Sequence, residues 1–157
     1  MAQASPPLEG IRVIEFTHMV MGPTVGVILA DLGAEVIKVE PLGGDNTRRL
    51  GGSGAGYFPM YNRNKKSVCV DLKSPEGVEV VHRLVADADV VIENFRPGAA
   101  ARLGFGYKDV AARNPGIIYG SISGFGDTGP GAKRPGYDLV IQGESGIMDI
   151  TGDPDSP

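Results

Sequence analysis

Five short apolar runs recur along the chain: IRVIEF at 11–16, EVIKVE at 35–40, SVCVDL at 67–72, DVVIENF at 89–95 and GIIYGSIS at 116–123. They are continuous rather than alternating, which is the pattern of strands covered on both faces. Helical spacing fills the intervals. Pro23 suits the first turn of a helix, and Val25, Ile28, Leu29 and Leu32 repeat at i, i+3, i+4, i+7, so these four are expected to face the core. Gly33 ends that helix. Ser74 caps a second helix, Pro75 starts it, and Val78, Val81, Leu84 and Val85 line its inner face. Two short helices are expected near 97–103 and 107–114, and a last one from about Tyr137. Alternation of this kind dictates an α/β fold: a parallel sheet of about five or six strands with helices on both faces.

With 157 residues the chain makes one domain with a core of its own. A net charge of −4 gives no general case for nucleic acid as a partner. MAQASPPLEG lacks the apolar centre of a signal peptide. The apolar region from Met19 to Ala30 is broken by Gly22, Pro23 and Gly26 and is too short for a bilayer, so no membrane partner is expected. Cys69 is the single cysteine, which fits the reducing cytoplasm; placed mid-strand, it reads as a buried structural thiol. The stretch 41–59, with GGSGAG inside it, reads as a mobile loop, and 41–56 is expected to be poorly ordered.

In parallel sheets ligands bind beyond the carboxyl ends of the strands. The residues there are THMVMGP after the first strand, KSPEG after the third, NFRPG after the fourth, and a Gly/Pro loop ending at Tyr137 after the fifth. Lys73 and Arg96 each adjoin a helix start, where unpaired N–H groups favour anions, and Arg102 follows a turn later. Met19, Phe95 and Tyr137 add flat or apolar surface. Cations, helix starts and apolar groups together suit a phosphorylated nucleotide with an apolar or thioester arm. The segment YNRNKKSVCVDLKSPEG crowds Arg63, Lys65, Lys66 and Lys73 together, and two readings stand open: a ring of cations around a phosphate, or a solvated cluster.

Other chemistries find little support. Hydride transfer on this fold needs G-x-G-x-x-G after the first strand, and only Gly22 stands in that turn. Glu40 then reads as a solvated strand-end acid. His82 reads as a surface residue on a helix. No Cys/His spacing suggests zinc, and no G-x-S-x-G elbow is present, so no metal is expected. Asp127, Asp138 and Glu144 are lone acids of the kind that cap helices or face solvent; His18 stands out because it follows the first strand directly.

The order of motifs LEGIRVIEFTHMVMGPTVGVILADLGAEVIKVEP, NRNKKSVCVDLKSPEG, DVVIENFRPGAAARLGFGY and GSISGFGDTGPGAKRPGYD resembles the family III CoA-transferases, from about Leu8 to the end of the chain. The resemblance implies a Rossmann-like large domain that takes coenzyme A as substrate. It implies acyl-CoA and carboxylate substrates, and transfer through an enzyme aspartyl-CoA thioester. By motif, His18, Met19, Val20 and Met21 match the loop along the CoA thiol and acyl region. Val70 and Lys73 match residues near the nucleotide. Asn94, Phe95, Arg96, Arg102 and Leu103 match a CoA-contacting segment, and Tyr137 matches a position beside the acyl group. Val20 stands where formyl-CoA transferases carry glutamine, which argues against a formyl or oxalyl substrate. The racemases of the same superfamily carry histidine where this chain has Tyr137, and a phenol is a poor base near neutral pH, which favours transfer. The resemblance places the nucleophilic aspartate beyond Pro157; Asp138, Asp153 and Asp155 do not match it. The chain is thus expected to be the N-terminal part of the large domain, inactive as given, without the small domain and C-terminal segment. The whole protein is expected to be an interlocked homodimer. A racemase and a non-catalytic CoA-binding fragment are the alternatives.

Overall fold

The computed structural model describes residues 5–153; the start of the N-terminal segment and Asp155 lie outside them. The described residues form two compact units that divide between Ile122 and Ser123. The first is an α/β unit around one parallel sheet. Its strands are β1 (Arg12–Phe16), β2 (Glu35–Glu40), β3 (Lys65–Cys69), β4 (Val90–Glu93) and β5 (Ile118–Ser121), in the spatial order β3–β2–β1–β4–β5. The order runs outward from β1 in both directions, with Val13 opposite both Val36 of β2 and Val90 of β4.

Helices cover both faces of the sheet. Ile14, Phe16, Val39 and Val91 meet α3 (Pro75–Ala86) through Val81 and Val85, α4 (Ala99–Arg102) through Ala100, and α5 (Tyr107–Ala111) through Val110. Val13, Val36 and Ile92, one residue out of phase, meet α1 (Met21–Asp31) through Ala30 on the other face. Full burial of a valine of this kind contributes about 1.5–3 kcal/mol. The expected inner face of α3 holds: Val81 and Val85 are fully buried and Val78 and Leu84 partly so. Ser74 accepts a hydrogen bond from the Gly77 N–H as its cap.

Several expectations need correction. The third strand starts two residues earlier than expected, at Lys65, and lies at the sheet edge. Its residues are mostly exposed, Cys69 among them, because an edge strand has a neighbour on one side only. The thiol is therefore a surface group. On α1 the buried residues are Gly22, Pro23, Gly26, Val27 and Ala30, while Ile28 and Leu32 are exposed and Val25 and Leu29 are half-buried. Small residues let this helix lie close to the sheet, so the apolar stripe counted from sequence is turned partly outward. The segment after β2 is no open loop. Asp45 and Thr47 are buried in it, two short 3-10 turns (Asn46–Arg49 and Gly52–Gly54) shape it, and α2 (Tyr57–Asn62) closes it.

The second unit carries α6 (Asp138–Glu144) and α7 (Ile147–Thr151). Leu139 and Val140 are exposed on α6. Asp138 sits in the first turn of α6 and accepts a hydrogen bond from Gln142. No described helix is long and apolar enough to cross a membrane.

Candidate functional site

The chain leaves β1 for α1 on one face of the sheet and leaves β4 for α4 and α5 on the other. The two connections diverge beyond the carboxyl ends of adjacent strands, and that point of divergence is where an open α/β sheet forms a ligand crevice. Here the two loops are joined. The Asn94 side chain accepts a hydrogen bond from the His18 N–H at 3.0 Å and donates one to the His18 carbonyl at 2.9 Å. Met19, next along, holds a left-handed backbone with φ of 64°, a strained state for a side chain of its size. A methyl group on Gly22 would lie 2.5 Å from Thr17 Cβ and 2.9 Å from Asn94 Cγ, so only glycine lets α1 begin this close to the crossing. No side chain caps the start of α1, which leaves its first N–H groups available to an anion.

Rings run from this rim into the core. His18 stacks on Phe95 at 6.5 Å, Phe95 meets Phe105 edge-on at 6.0 Å, and Phe105 stacks on Phe16 at 4.4 Å. Phe95 is thereby seated from below, while His18 and Met19 are exposed above it. On the α3 side, His82 is half-buried rather than a surface residue, and its Nε2 lies 2.8 Å from the Gly104 carbonyl. Val78 would be in contact with a Cβ at Gly104. These contacts tie the first turns of α3, which follow Lys73, to the turn after Arg102 and Leu103. Lys73 and Arg102 are both exposed and neither has an ion-pair partner among the described residues.

The structure thus brings His18, Met19, Val20, Asn94 and Phe95 to the joined carboxyl ends of β1 and β4, with Met21 exposed at the start of α1 and Arg96 exposed just past Phe95. Lys73, Arg102 and Leu103 share the neighbouring shoulder. Val70 is different: its side chain is buried in the core, against the α3 face of the sheet. Tyr137 belongs to the second unit, exposed at the cap of α6. Of the crowded cations, Arg63, Lys66 and Lys73 are exposed, as the solvated reading has it, and Lys65 is not. Arg63 pairs with Asp31, Lys66 with Glu35, and Lys65 is buried against Glu15. Only Lys73 of the four is left for an external anion.

Sequence reading missed the acids that shape the rim. Glu15, Glu40 and Glu93 end or nearly end three strands, and all are buried. Glu93 accepts from the Phe95 N–H at 2.7 Å and from Ser121 Oγ at 2.5 Å. Glu15 accepts from Thr17 Oγ1 at 2.5 Å. Glu40, expected in solvent, is 1% exposed and accepts from Arg48, Ser67 and the Asp45 N–H. The signal was present as an acid inside each apolar run: VIEF, VIKVE, VVIE.

Burial opposes ionisation of Glu40, but the hydrogen bonds from Arg48, Ser67 and Asp45 outweigh it and hold the carboxyl down at about 2. A depressed acid stabilises the fold fully above its unfolded value near 4.5 and loses that contribution as pH falls toward 2. The shift corresponds to at most about 3 kcal/mol. Glu40→Gln is expected to lower stability by up to this amount at neutral pH. Its urea-unfolding free energy should also vary less than the wild type's between pH 4.5 and 2. Parallel pH curves for the two proteins would refute this.

The sheet order, with helices on both faces, defines a doubly wound α/β unit. The chain belongs to CoA-transferase family III, whose sequence model matches residues 8–157. It is 50% identical to the succinate–glutarate CoA-transferase of Agrobacterium fabrum, covering 99% of this chain and 42% of that protein. It is 47% identical to human succinyl-CoA:glutarate CoA-transferase, covering 93% of this chain and 34% of that protein. A crystal structure of a CAIB/BAIF family protein from Brucella suis superposes with a TM-score of 0.90 at 51% identity, over 97% of this chain and 42% of that one. The chain therefore spans about two-fifths of the length of these relatives.

Proposed function

We propose that the crevice between β1 and β4 binds an acyl-CoA, and that the protein moves CoA from it to a dicarboxylic acid. In this reading the chain supplies the N-terminal part of the large CoA-binding domain. The observation that carries it is the joined His18–Asn94 crossing beside an uncapped helix start, with Lys73 and Arg102 exposed on the adjoining shoulder. The crossing offers an apolar seat at Phe95 and Met19 for the thioester arm. The cations and the α1 N–H groups suit the phosphates. Relatives named for succinate and glutarate support a dicarboxylate acceptor.

The chemistry conserves electrons throughout. An aspartate carboxylate attacks the thioester carbonyl and expels CoA thiolate, leaving a mixed anhydride. The thiolate attacks the aspartyl carbonyl and expels the donor acid. The acceptor carboxylate then attacks the aspartyl thioester, and the released thiolate attacks the new anhydride at its acyl carbonyl. No nucleophile is assigned to the described residues; their part is to bind CoA and orient its sulfur. Thermal-shift titration tests this. CoA should raise the melting temperature at low salt, and the rise should shrink as ionic strength increases. Arg102→Gln and Lys73→Gln should each weaken binding about threefold, as expected of exposed phosphate contacts. A flat titration at low salt would overturn the reading.

A further inference from the structure

Beneath the crevice lie two lysines and two acids with almost no solvent contact: Lys38, Lys65, Glu15 and Asp45, with side chains 0–5% exposed. Lys65 Nζ stands 2.8 Å from Glu15 Oε2, and Lys38 Nζ stands 3.4 Å from Glu15 Oε1 and 3.1 Å from Asp45 Oδ2. The group is neutral as a whole. Buried ion pairs are weak devices for stability compared with apolar packing. What distinguishes this one is where its remaining hydrogen bonds end. Lys38 donates to the Thr17 carbonyl at 2.5 Å, and Lys65 donates to the Pro23 carbonyl at 2.9 Å. Asp45 Oδ1 accepts from both the N–H and the hydroxyl of Thr47, each at 2.8 Å. With its proton committed to Asp45, Thr47 Oγ1 is left as an acceptor, and the Met19 N–H donates to it at 3.3 Å. The bonds bracket residues 17–23, and one of them falls on the strained Met19.

We infer that this buried quartet, acting through Thr47, is a positioning device that holds the Thr17–Val20 loop in its binding conformation. The inference rests on the reading of the crevice as the CoA site. Thr47 touches no reacting atom; it acts through Met19. The left-handed backbone at Met19 is paid for by its anchored N–H, and releasing that anchor lets residues 18–20 relax to an extended form. The lysines alone would fix Thr17 and the α1 start, but not Met19.

The test uses Thr47→Val, which keeps shape and removes the hydroxyl, and Thr47→Ser, which restores it. Asp45→Asn, which breaks the charge pair with Lys38, is a second variant should the valine form not fold. Amide NMR spectra of the free proteins are compared first. The His18, Met19 and Val20 signals should move or broaden in Thr47→Val and return in Thr47→Ser, with α5 signals unchanged. CoA affinity should weaken about tenfold in Thr47→Val and recover in Thr47→Ser, the scale of one buried hydrogen bond. Loop signals and affinity unchanged in both Thr47→Val and Asp45→Asn would overturn the inference, as would moved signals with unchanged affinity. A wild type that takes no CoA refutes the proposed function instead, and the amide comparison then decides the loop's support by itself.

Discussion

Gly26→Ala should destabilise the α/β unit by about 3–5 kcal/mol, the range for disrupting a buried ion pair. A methyl group there would lie 1.8 Å from Glu15 Oε2 and 2.9 Å from Lys65 Nζ. Glu15 is fully buried, so its carboxylate cannot swing to solvent; to yield, it must give up Lys65. Moving α1 outward instead would open the packing of Ala30 against Val13 and Val36. Alanine would otherwise favour a helix over glycine by about 1 kcal/mol, so the sign of the change is diagnostic. Gly43→Ala, where a methyl group meets nothing within 4 Å, is the control and should change stability by under about 0.5 kcal/mol. Urea unfolding decides: equal midpoints for the two variants would disprove the close approach.

Lys38→Met should have an effect of similar size, about 3–5 kcal/mol, for a different reason. Methionine fills much of the same space but takes from Asp45 its ion-pair partner, leaves Glu15 with Lys65 alone, and leaves the Thr17 carbonyl without its donor. The cost should fall when Asp45→Asn is added, because the double variant regains neutrality. The two single losses should exceed the double loss by about 1 kcal/mol or more. Strict additivity would mean that Lys38 and Asp45 do not interact energetically.

The legible part of the fold was the part dominated by local pattern. β1, β2 and β4 lie where their apolar runs lie, because central strands of a parallel sheet need apolar residues on both faces. The Ser74–Pro75 start of α3 was legible because a cap and a proline are local devices. β3 was misread because Lys65 and Lys66 look like loop, and an edge strand tolerates charge that a central one does not. The outward turn of α1 follows from Gly22 and Gly26, whose role depends on Thr17, Asn94 and Glu15 arriving from elsewhere. The rim residues His18, Asn94 and Phe95 could be placed at strand ends from sequence. That Asn94 clasps the His18 backbone could not, since the two are 76 positions apart. The burial of Asp45 and Thr47 within a glycine-rich stretch was hidden for the same reason: their partners are Lys38 and Met19, and composition carries no trace of either.

The sheet order has a consequence in time. β1 is the central strand, flanked by β2 and β4, yet it is translated before both. Its pairing with β2 closes early, through a helix-length connection. Its bond to Asp89, at the entry to β4, spans 77 positions. A ribosome adding about 5–20 residues per second needs about 4–15 s to bridge that interval. During it, Val13 and Ile14 have one edge of their strand bare. Glu15 receives Lys65 sooner, 50 positions on, so the acid is neutralised before the strand is enclosed. The pace of translation, rather than the final stability, sets how long this nascent sheet stays open to a wrong partner.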